Sequence, residues 1–251
     1  MTAPTTRIPP MRPLAPEFYG AGMTHAGVVR ERNEDSILTD PSGALWAVAD
    51  GMGGYGNGDV ASDILIECLS TVPDEALAGP ALQGRVEEAN RRIRAHSLKA
   101  CTGNIGATVV AMMIQNSVAH LAWAGDCRAY LMRSGQLRLL THDHTVVQDL
   151  VDQGLLSETG RDDHPEAHVV TRAVGFGNSV ELDTRAVPLV PGDRILLCSD
   201  GLTACLGDQE IADTMAVAPR PEAMCHQFIT AALDAGAPDN VSVIGVFARA
   251  G

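Results

Sequence analysis

The sequence is poor in basic residues and contains no long apolar run. Eighteen Lys and Arg stand against 31 Asp and Glu, so the formal net charge is −13 over 251 residues. Proteins that bind nucleic acids or anionic membrane surfaces usually carry a stripe of basic residues, and this sequence has no such stripe. Neither nucleic acid nor membrane is therefore expected as a partner. No segment is long enough to cross a bilayer, and the proline-rich start lacks the apolar core of a signal peptide. These absences predict a cytoplasmic protein, and a monomer is expected.

Cysteine occurs six times but never in the C-x-x-C spacing of metal and redox sites. The residues are Cys68, Cys101, Cys127, Cys198, Cys205 and Cys225. Several lie within apolar runs, where reduced and buried thiols are the simpler interpretation. A disulfide framework is therefore not predicted.

The chain divides into a short leading segment and one domain. Residues 1–16 are rich in proline and are predicted to form a flexible N-terminal segment. Residues 17–251 have the length and apolar content of a single globular domain. Within it, residues 141–178 are polar and contain one short predicted helix, Val146–Gln153. Long insertions with little secondary structure are often functional.

Strand-like runs alternate in blocks with helical segments. Short spacers such as QN (115–116) and RSGQ (133–136) join several of the runs and favour antiparallel hairpins. The predicted strands cover 18–24, 36–39, 45–49, 107–114, 117–124, 129–133, 137–140, 182–187, 194–198 and 241–247. Helical periodicity covers 60–68, 82–93 and 224–235. This order predicts an α+β fold, a β-sandwich with outer helices, rather than regular β-α alternation.

Two apolar runs end alike, in Asp-Gly. Asp50 lies in AVADGMGG (47–54) and Asp200 lies in LCSDGL (197–202). Because Asp and Gly are poor strand formers, each pair is predicted to mark the end of a strand. Further acidic residues lie at strand edges: Glu34 and Asp35 in RERNEDS (30–36), Asp126 in AGDCRAY (124–130) and Asp239 in APDNVSV (237–243). A packed sheet can bring such edges together, and clustered carboxylates repel one another unless cations neutralise them.

Each motif also has a plainer interpretation. Asp-Gly after a strand is usually a turn, and an NED run is usually a solvated loop. The glycine-rich GMGGYGNG (51–58) could be a phosphate-cradling nest, but it lacks the Lys-Ser/Thr ending of a P-loop. We interpret its glycines as room for Asp50 and a nearby backbone carbonyl to approach a cation.

A ligand set made of oxygen alone favours hard ions, Mg²⁺ or Mn²⁺, over zinc. Two such ions can share a water, lower its pKa and present hydroxide to a phosphorus atom. Arg30, close to Glu34 and Asp35, supplies a guanidinium fork for phosphate oxygens. Phosphate-ester hydrolysis is the reaction that uses all of these parts.

The order and the residues of the motifs resemble those of one family, the metal-dependent serine/threonine protein phosphatases of type 2C, particularly its bacterial members. The resemblance runs from about Gly20 to Phe247. Its motifs are Arg30 with NED (33–35), VADGMGG (48–54), GATVV (106–110), AGDCRAYL (124–131), LTHDHTVVQDLV (140–151), HPEAHVVTRAVG (164–175), GDRILLCSDGL (192–202) and PDNVSVIGV (238–246). Any one motif is a weak signal, but eight in the family's order are specific.

The resemblance implies a four-layer α-β-β-α sandwich with two Mn²⁺ or Mg²⁺ ions at one end. Asp50 would bridge both ions, the Gly51 carbonyl would bind one, and Asp200 and Asp239 would hold the other. A water bridging the ions would attack phosphoserine or phosphothreonine. Residues 141–178 would form a flap beside the site.

The resemblance also assigns the surrounding residues. Glu34 and Asp35 would act through metal-bound waters, and Arg30 would bind the substrate phosphate. Asp126, with Asp200, resembles the site of a third and weaker ion.

Two departures limit what carries over. Many eukaryotic members have a histidine directly after the first Asp-Gly as general acid, whereas this chain has Met52. The insertion lacks a basic or amide residue near Glu166 and Ala167, so substrate preference does not transfer. His144 is a candidate proton donor, but an exposed, helix-flanking residue is the preferred interpretation.

The leading hypothesis is an active phosphatase that acts on phosphorylated proteins and opposes a Ser/Thr kinase. The start of the sequence resembles stand-alone phosphatases encoded beside kinases that regulate type VI secretion. Two alternatives stay open: a catalytically silent module that binds phosphoproteins, and a partner-switching regulatory phosphatase.

Overall fold

The computed structural model describes residues 16–40, 43–53, 57–73, 76–100, 103–161 and 164–250. Its strands are β1 (Pro16–His25), β2 (Asp35–Thr39), β3 (Leu45–Gly53), β4 (Ile105–Gln115), β5 (Val118–Ala124), β6 (Arg128–Arg133), β7 (Gln136–Leu139), β8 (Asp183–Pro188), β9 (Arg194–Cys198) and β10 (Val241–Ala250). Its helices are α1 (Gly58–Leu69), α2 (Ala78–Ala100), α3 (Val146–Asp152), α4 (Asp200–Thr203), α5 (Asp208–Val217) and α6 (Pro221–Asp234). The predicted flexible segment lies outside the described residues except for Pro16, where β1 begins.

The strands form two five-stranded antiparallel sheets. One has the order β1-β10-β9-β6-β7 and the other the order β2-β3-β4-β5-β8. Each predicted strand overlaps an observed one, because hairpins with short spacers pair neighbouring strands locally. The predicted α+β fold is confirmed.

Alternating side chains in the central strands explain the four layers. In β3, Trp46 and Val48 pack between the two sheets, whereas Ala47 and Ala49 pack under α1 and α2. In β10, Ile244 packs between the sheets, and its neighbours pack under the helices of the other face. Because successive side chains of a strand point to opposite faces, three apolar layers separate four layers of backbone.

The prediction that β3 ends at Asp50 is wrong. The strand continues to Gly53, because Asp50–Gly53 pair with the start of β4, down to Ile105. The ladder of β4 satisfies the backbone of these poor strand formers, so pairing overrides their propensity. Asp50 therefore lies inside the sheet, directly opposite Asp35 of β2.

The helices agree with the periodicity in part. The predicted segments correspond to α1, α2 and α6, and Val146–Gln153 corresponds to α3. Helices α4 and α5 were not predicted, because α4 is a single turn and α5 buries only Ile211 and Met215. Within the described ranges, no helix combines the length and the apolar composition needed to cross a membrane.

The cysteines of the described ranges are free, as predicted. Four are buried and Cys205 is partly exposed. Cys101 lies outside the described residues. Burial raises the pKa of the Cys127 and Cys198 thiols, which agrees with structural rather than reactive roles.

Candidate active site

The predicted acidic residues converge from both sheets on one cavity of about 850 Å³. Asp50 comes from β3, Asp126 from the β5–β6 turn, Asp200 from the start of α4, and Asp239 from the approach to β10. Seven of the predicted site residues line it: Arg30, Glu34, Asp50, Gly51, Asp126, Asp200 and Asp239. Strand pairing in the two sheets thus brings residues from opposite ends of the chain together.

Asp35 is the predicted residue that does not line the cavity. It is 6 % exposed and lies opposite Asp50 across the β2–β3 ladder. Its Oδ2 accepts a hydrogen bond from Ser199 Oγ at 2.8 Å, whereas its Oδ1 has no protein partner. Its negative charge is one of the causes that raise the pKa of Asp50.

Burial and mutual repulsion hold the carboxylates toward their protonated forms. Burial, and then the charges of Asp35 and Asp200, raise the pKa of Asp50 well above its usual value. Burial raises the pKa of Asp35 to about 7, and burial with the charge of Asp200 raises the pKa of Asp126 to about 8. The pKa of Asp200 is raised for the same reasons, with Asp239 as the repelling neighbour. A bound cation would remove this repulsion.

The donor set fits hard divalent ions. It consists of carboxylates and the Gly51 carbonyl, and buried oxygens of two acids, Asp35 Oδ1 and Asp200 Oδ1, have no hydrogen-bond partner. Within the described ranges, no three His, Cys, Asp or Glu side chains are grouped as a ready metal cluster. Both oxygens of Asp239 accept hydrogen bonds, from Arg30 Nη2 at 2.7 Å and from the Asn240 amide at 2.8 Å.

Gly51 lies where two backbones meet. Its N–H donates to the Glu34 carbonyl at 3.1 Å, and a Cβ there would lie 2.1 Å from the Gly58 carbonyl oxygen. Glu34 Oε1 accepts from the Gly58 amide at 3.1 Å, at the N-terminus of α1, where the helix dipole favours negative charge. Glu34, Gly51 and Gly58 therefore form one contact between the site and α1.

We expect Gly51→Ala to destabilise the protein by about 2–4 kcal/mol, since the added methyl forces β3 away from α1. Urea unfolding measures the change. Gly84→Ala is the control, because Gly84 lies in α2 with no atom near its added Cβ. An unchanged urea midpoint for Gly51→Ala would contradict the close packing.

Arg30 lies at the rim of the cavity. Its side chain is 57 % exposed and forms a 2.7 Å ion pair with Asp239. The predicted phosphate-binding residue thus lies beside one of the predicted metal ligands.

The preferred interpretation of His144 as an exposed residue is wrong. His144 is 7 % exposed and stacks on Trp123 with ring centroids 6.4 Å apart. Its Nδ1 accepts a hydrogen bond from the Gly125 amide at 3.0 Å. Burial lowers its pKa, with a further contribution from the charge of Arg172. The residues around His144 are polar, and this pattern does not show that the Gly125 amide, in the turn between β5 and β6, needs a hydrogen-bond acceptor.

Four polar residues that line the cavity were not singled out from the sequence: Glu31, Arg32, His168 and Asn240. His168 comes from the insertion at 141–178, and Asn240 follows Asp239. Both stand in motifs quoted above, but a lone histidine or asparagine has no spacing that marks it as part of a site.

Comparison with known proteins identifies the family. The family model for protein phosphatase 2C matches residues 21–150, about half of the chain. The chain belongs to the protein phosphatase 2C family. It is 35 % identical over 228 residues to the serine/threonine protein phosphatase PstP of Mycobacterium tuberculosis, which covers 89 % of this chain and 44 % of PstP. It is 34 % identical over 232 residues to the serine/threonine phosphatase Stp of Listeria welshimeri, covering 88 % and 92 %.

Solved structures of the protein phosphatase 2C family share the fold. PppA, described as a key regulatory component of T6SS in Pseudomonas aeruginosa, has a TM-score of 0.83 and 36 % identity, covering 92 % of this chain and 97 % of PppA. The catalytic domain of a PstP in complex with two manganese ions has a TM-score of 0.82 and 34 % identity, covering 92 % and 98 %. The chain spans less than half of the length of the M. tuberculosis PstP that it matches.

Proposed function

We propose that this protein phosphatase 2C family member hydrolyses phosphoserine and phosphothreonine on proteins in a metal-dependent reaction. The observation that carries the proposal is the convergence of Asp50, Asp126, Asp200 and Asp239 on one cavity with Arg30 at its rim. The likeness to a PstP domain that binds two manganese ions supports the choice of cofactor.

Two Mn²⁺ or Mg²⁺ ions would be held by Asp50, the Gly51 carbonyl, Asp200 and Asp239. Glu34 and Asp35 would reach them through water, and Asp126 with Asp200 would hold a third, weaker ion. Bound there, the ions would supply an activated water and neutralise charge on the phosphoryl group.

The chain's own residues bind and orient the substrate. The guanidinium group of Arg30 has five N–H donors and donates one hydrogen bond to Asp239, so other donors remain for phosphate oxygens. Met52 lines the cavity, but its thioether has no ionisable proton. The proton for the leaving serine or threonine oxygen must therefore come from another source. The open cavity gives solvent access to that oxygen.

We expect the chain to release phosphate from a phosphothreonine peptide in Mn²⁺ and to stop in excess EDTA. Arg30→Ala should lower kcat/KM about 10- to 100-fold, mainly through KM, because charge-assisted hydrogen bonds to phosphate are lost. Steady-state kinetics measure both effects.

Arg249→Ala is the matched control for Arg30→Ala. Arg249 is 62 % exposed and likewise forms one 2.7 Å ion pair, with Glu17, away from the cavity. Activity that persists in EDTA, or an equal loss in both arginine variants, would overturn the proposed mechanism. Binding of Mn²⁺ and phosphopeptide without turnover would instead identify a silent binding module.

The proposed substrates are phosphoproteins made by a cognate Ser/Thr kinase in the cytoplasm. The likeness to PppA supports a link to type VI secretion. Incubating the chain with proteins phosphorylated by a kinase encoded beside it tests this pairing, and the absence of dephosphorylation would argue against it.

A further inference from the structure

We infer that Asn240 is a positioning residue that holds segment 26–34, and through it Arg30, at the rim of the cavity. The inference rests on the proposed function, in which Arg30 binds the substrate phosphate. Asn240 itself is assigned no contact with the substrate.

The side-chain amide of Asn240 makes three hydrogen bonds to this one segment. Nδ2 donates to the carbonyl oxygens of Ala26 at 2.9 Å and Arg32 at 2.8 Å. Oδ1 accepts from the Glu34 amide at 2.7 Å. Both donors and the acceptor are used, and the bonded residues flank Arg30 on both sides. Asn240 is 6 % exposed, so water has little access to these bonds.

Among the residues that the structure describes, few other contacts hold the middle of the segment, residues 28–30. Val28 and Val29 are 64 % and 67 % exposed, so apolar burial contributes little there. The Val28 amide donates to the Ala237 carbonyl at 2.9 Å. The ion pair of Arg30 with Asp239 is largely exposed, and exposed pairs hold geometry weakly. Glu34, at the end of the segment, is also held by the Gly51 and Gly58 amides and by Ser62 Oγ. Asn240 is the buried side chain that bonds the segment on both sides of Arg30, at Ala26 and at Arg32.

The backbone that carries Asn240 is itself firmly placed. It directly precedes β10, which pairs with β1 and β9. Gly201 packs against it so closely that a Cβ on Gly201 would lie 1.9 Å from the Asn240 carbonyl oxygen. Because its backbone is fixed against the sheet, the Asn240 side chain holds the exposed segment 26–34 in place relative to β10.

Asn240→Leu keeps the approximate volume of the side chain and removes all three hydrogen bonds. We expect KM for a phosphothreonine peptide to rise about 5- to 20-fold with a smaller change in kcat, because Arg30 is no longer held toward the phosphate. In the Arg30→Ala background the same substitution should change kcat/KM by less than about threefold, since the group it positions is gone.

Asn90→Leu is the matched control. Asn90 is also buried, and its amide donates to the Gly177 carbonyl at 3.0 Å and accepts from the Gly175 amide at 2.7 Å. It clamps a different segment, so Asn90→Leu should leave the effect of Arg30→Ala unchanged. Asn240→Ala provides a second variant if the leucine is not accommodated.

Hydrogen exchange followed by mass spectrometry tests the attachment without relying on activity. The amides of Val28 and Glu34, both hydrogen-bonded in the wild type, should exchange at least about tenfold faster in Asn240→Leu and at the wild-type rate in Asn90→Leu. Unchanged exchange in this segment overturns the inference, even if the wild-type chain releases no phosphate. Faster exchange combined with a full kinetic loss in the Arg30→Ala background also overturns it, because Asn240 would then act through another group.

Discussion

Asp50→Asn should lower Mn²⁺-dependent kcat/KM for a phosphopeptide at least about 1000-fold and, in metal-free buffer, should raise the free energy of unfolding. Activity falls because Asp50 is the carboxylate that Asp35, Asp126 and Asp200 all surround, and it is one of the residues that would hold the ions. Stability rises because Asp50 must on folding either take up a proton or carry a charge that burial and three like charges disfavour, whereas the amide does neither. We expect a gain of about 1–2 kcal/mol at pH 8.

Asp193→Asn is the control with the opposite pattern. Asp193 is 1 % exposed but binds Arg133 through both oxygens, at 2.7 and 2.6 Å, outside the cavity. Weakening this buried pair should cost about 2–4 kcal/mol of stability and leave kcat/KM within a few-fold. Urea unfolding in EDTA and steady-state kinetics in Mn²⁺ provide the two readouts. A metal-free Asp50→Asn protein that is less stable than wild type would refute the repulsive cluster.

Without divalent metal, the free energy of unfolding should fall as the pH rises from about 6.5 to 8.5. The pKa values of Asp35 and Asp126 are about 7 and about 8 in the folded protein, against about 3.9 in the unfolded chain. Between these values the folded state binds more protons than the unfolded state, so raising the pH favours unfolding. The stability that the protonated carboxyls contribute is complete below about pH 4 and is lost as the pH passes their folded pKa values.

The expected loss over this range is about 2–4 kcal/mol, since each proton difference contributes about 1.4 kcal/mol per pH unit. His144 contributes in the opposite direction, because its lowered pKa makes its neutral form the stable one. Above about pH 6.5 less than half of the unfolded histidine is protonated, so little of this effect remains. Urea midpoints at half-unit pH steps in EDTA measure the slope.

Mn²⁺ should flatten or reverse this slope, because ionised carboxylates bind the metal more tightly as the pH rises. The double variant Asp35→Asn, Asp126→Asn serves as the control, since it removes the two groups with folded pKa values of about 7 and about 8 and should make the slope in EDTA shallower. A metal-free stability that rises with pH in wild type would show that these carboxyls are ionised and stabilised by other means.

Much of the fold was predictable from local pattern. The hairpins with short spacers, such as β4–β5 and β6–β7, follow from turn chemistry, which pairs neighbouring strands locally. The order of strands within each sheet was not, because β10 pairs with both β1 and β9 over separations that no local signal encodes. The Asp-Gly end assigned to β3 failed for the same reason, since β4 extends the ladder past it.

The candidate site divides in the same way. Acidic residues at strand edges were recognisable because Asp and Glu beside apolar runs stand out from their neighbours. The roles of His144 and Asn240 could not be predicted from the sequence, because each depends on a distant hydrogen-bond partner. The partner of His144 is more than 15 residues away, and that of Asn240 is more than 200 residues away.

The sequence alone determined the strands, the helices with clear apolar periodicity and the identity of the acidic residues, since these depend on side-chain chemistry within short windows. Tertiary structure alone decided that Asp50 faces Asp35 inside a sheet, that Asp126, Asp200 and Asp239 join it around one cavity, and that Asn240 holds the segment carrying Arg30. The physical reason is that carboxylate pKa values and hydrogen-bond partners depend on distances through space. Only the packing of the two sheets sets those distances.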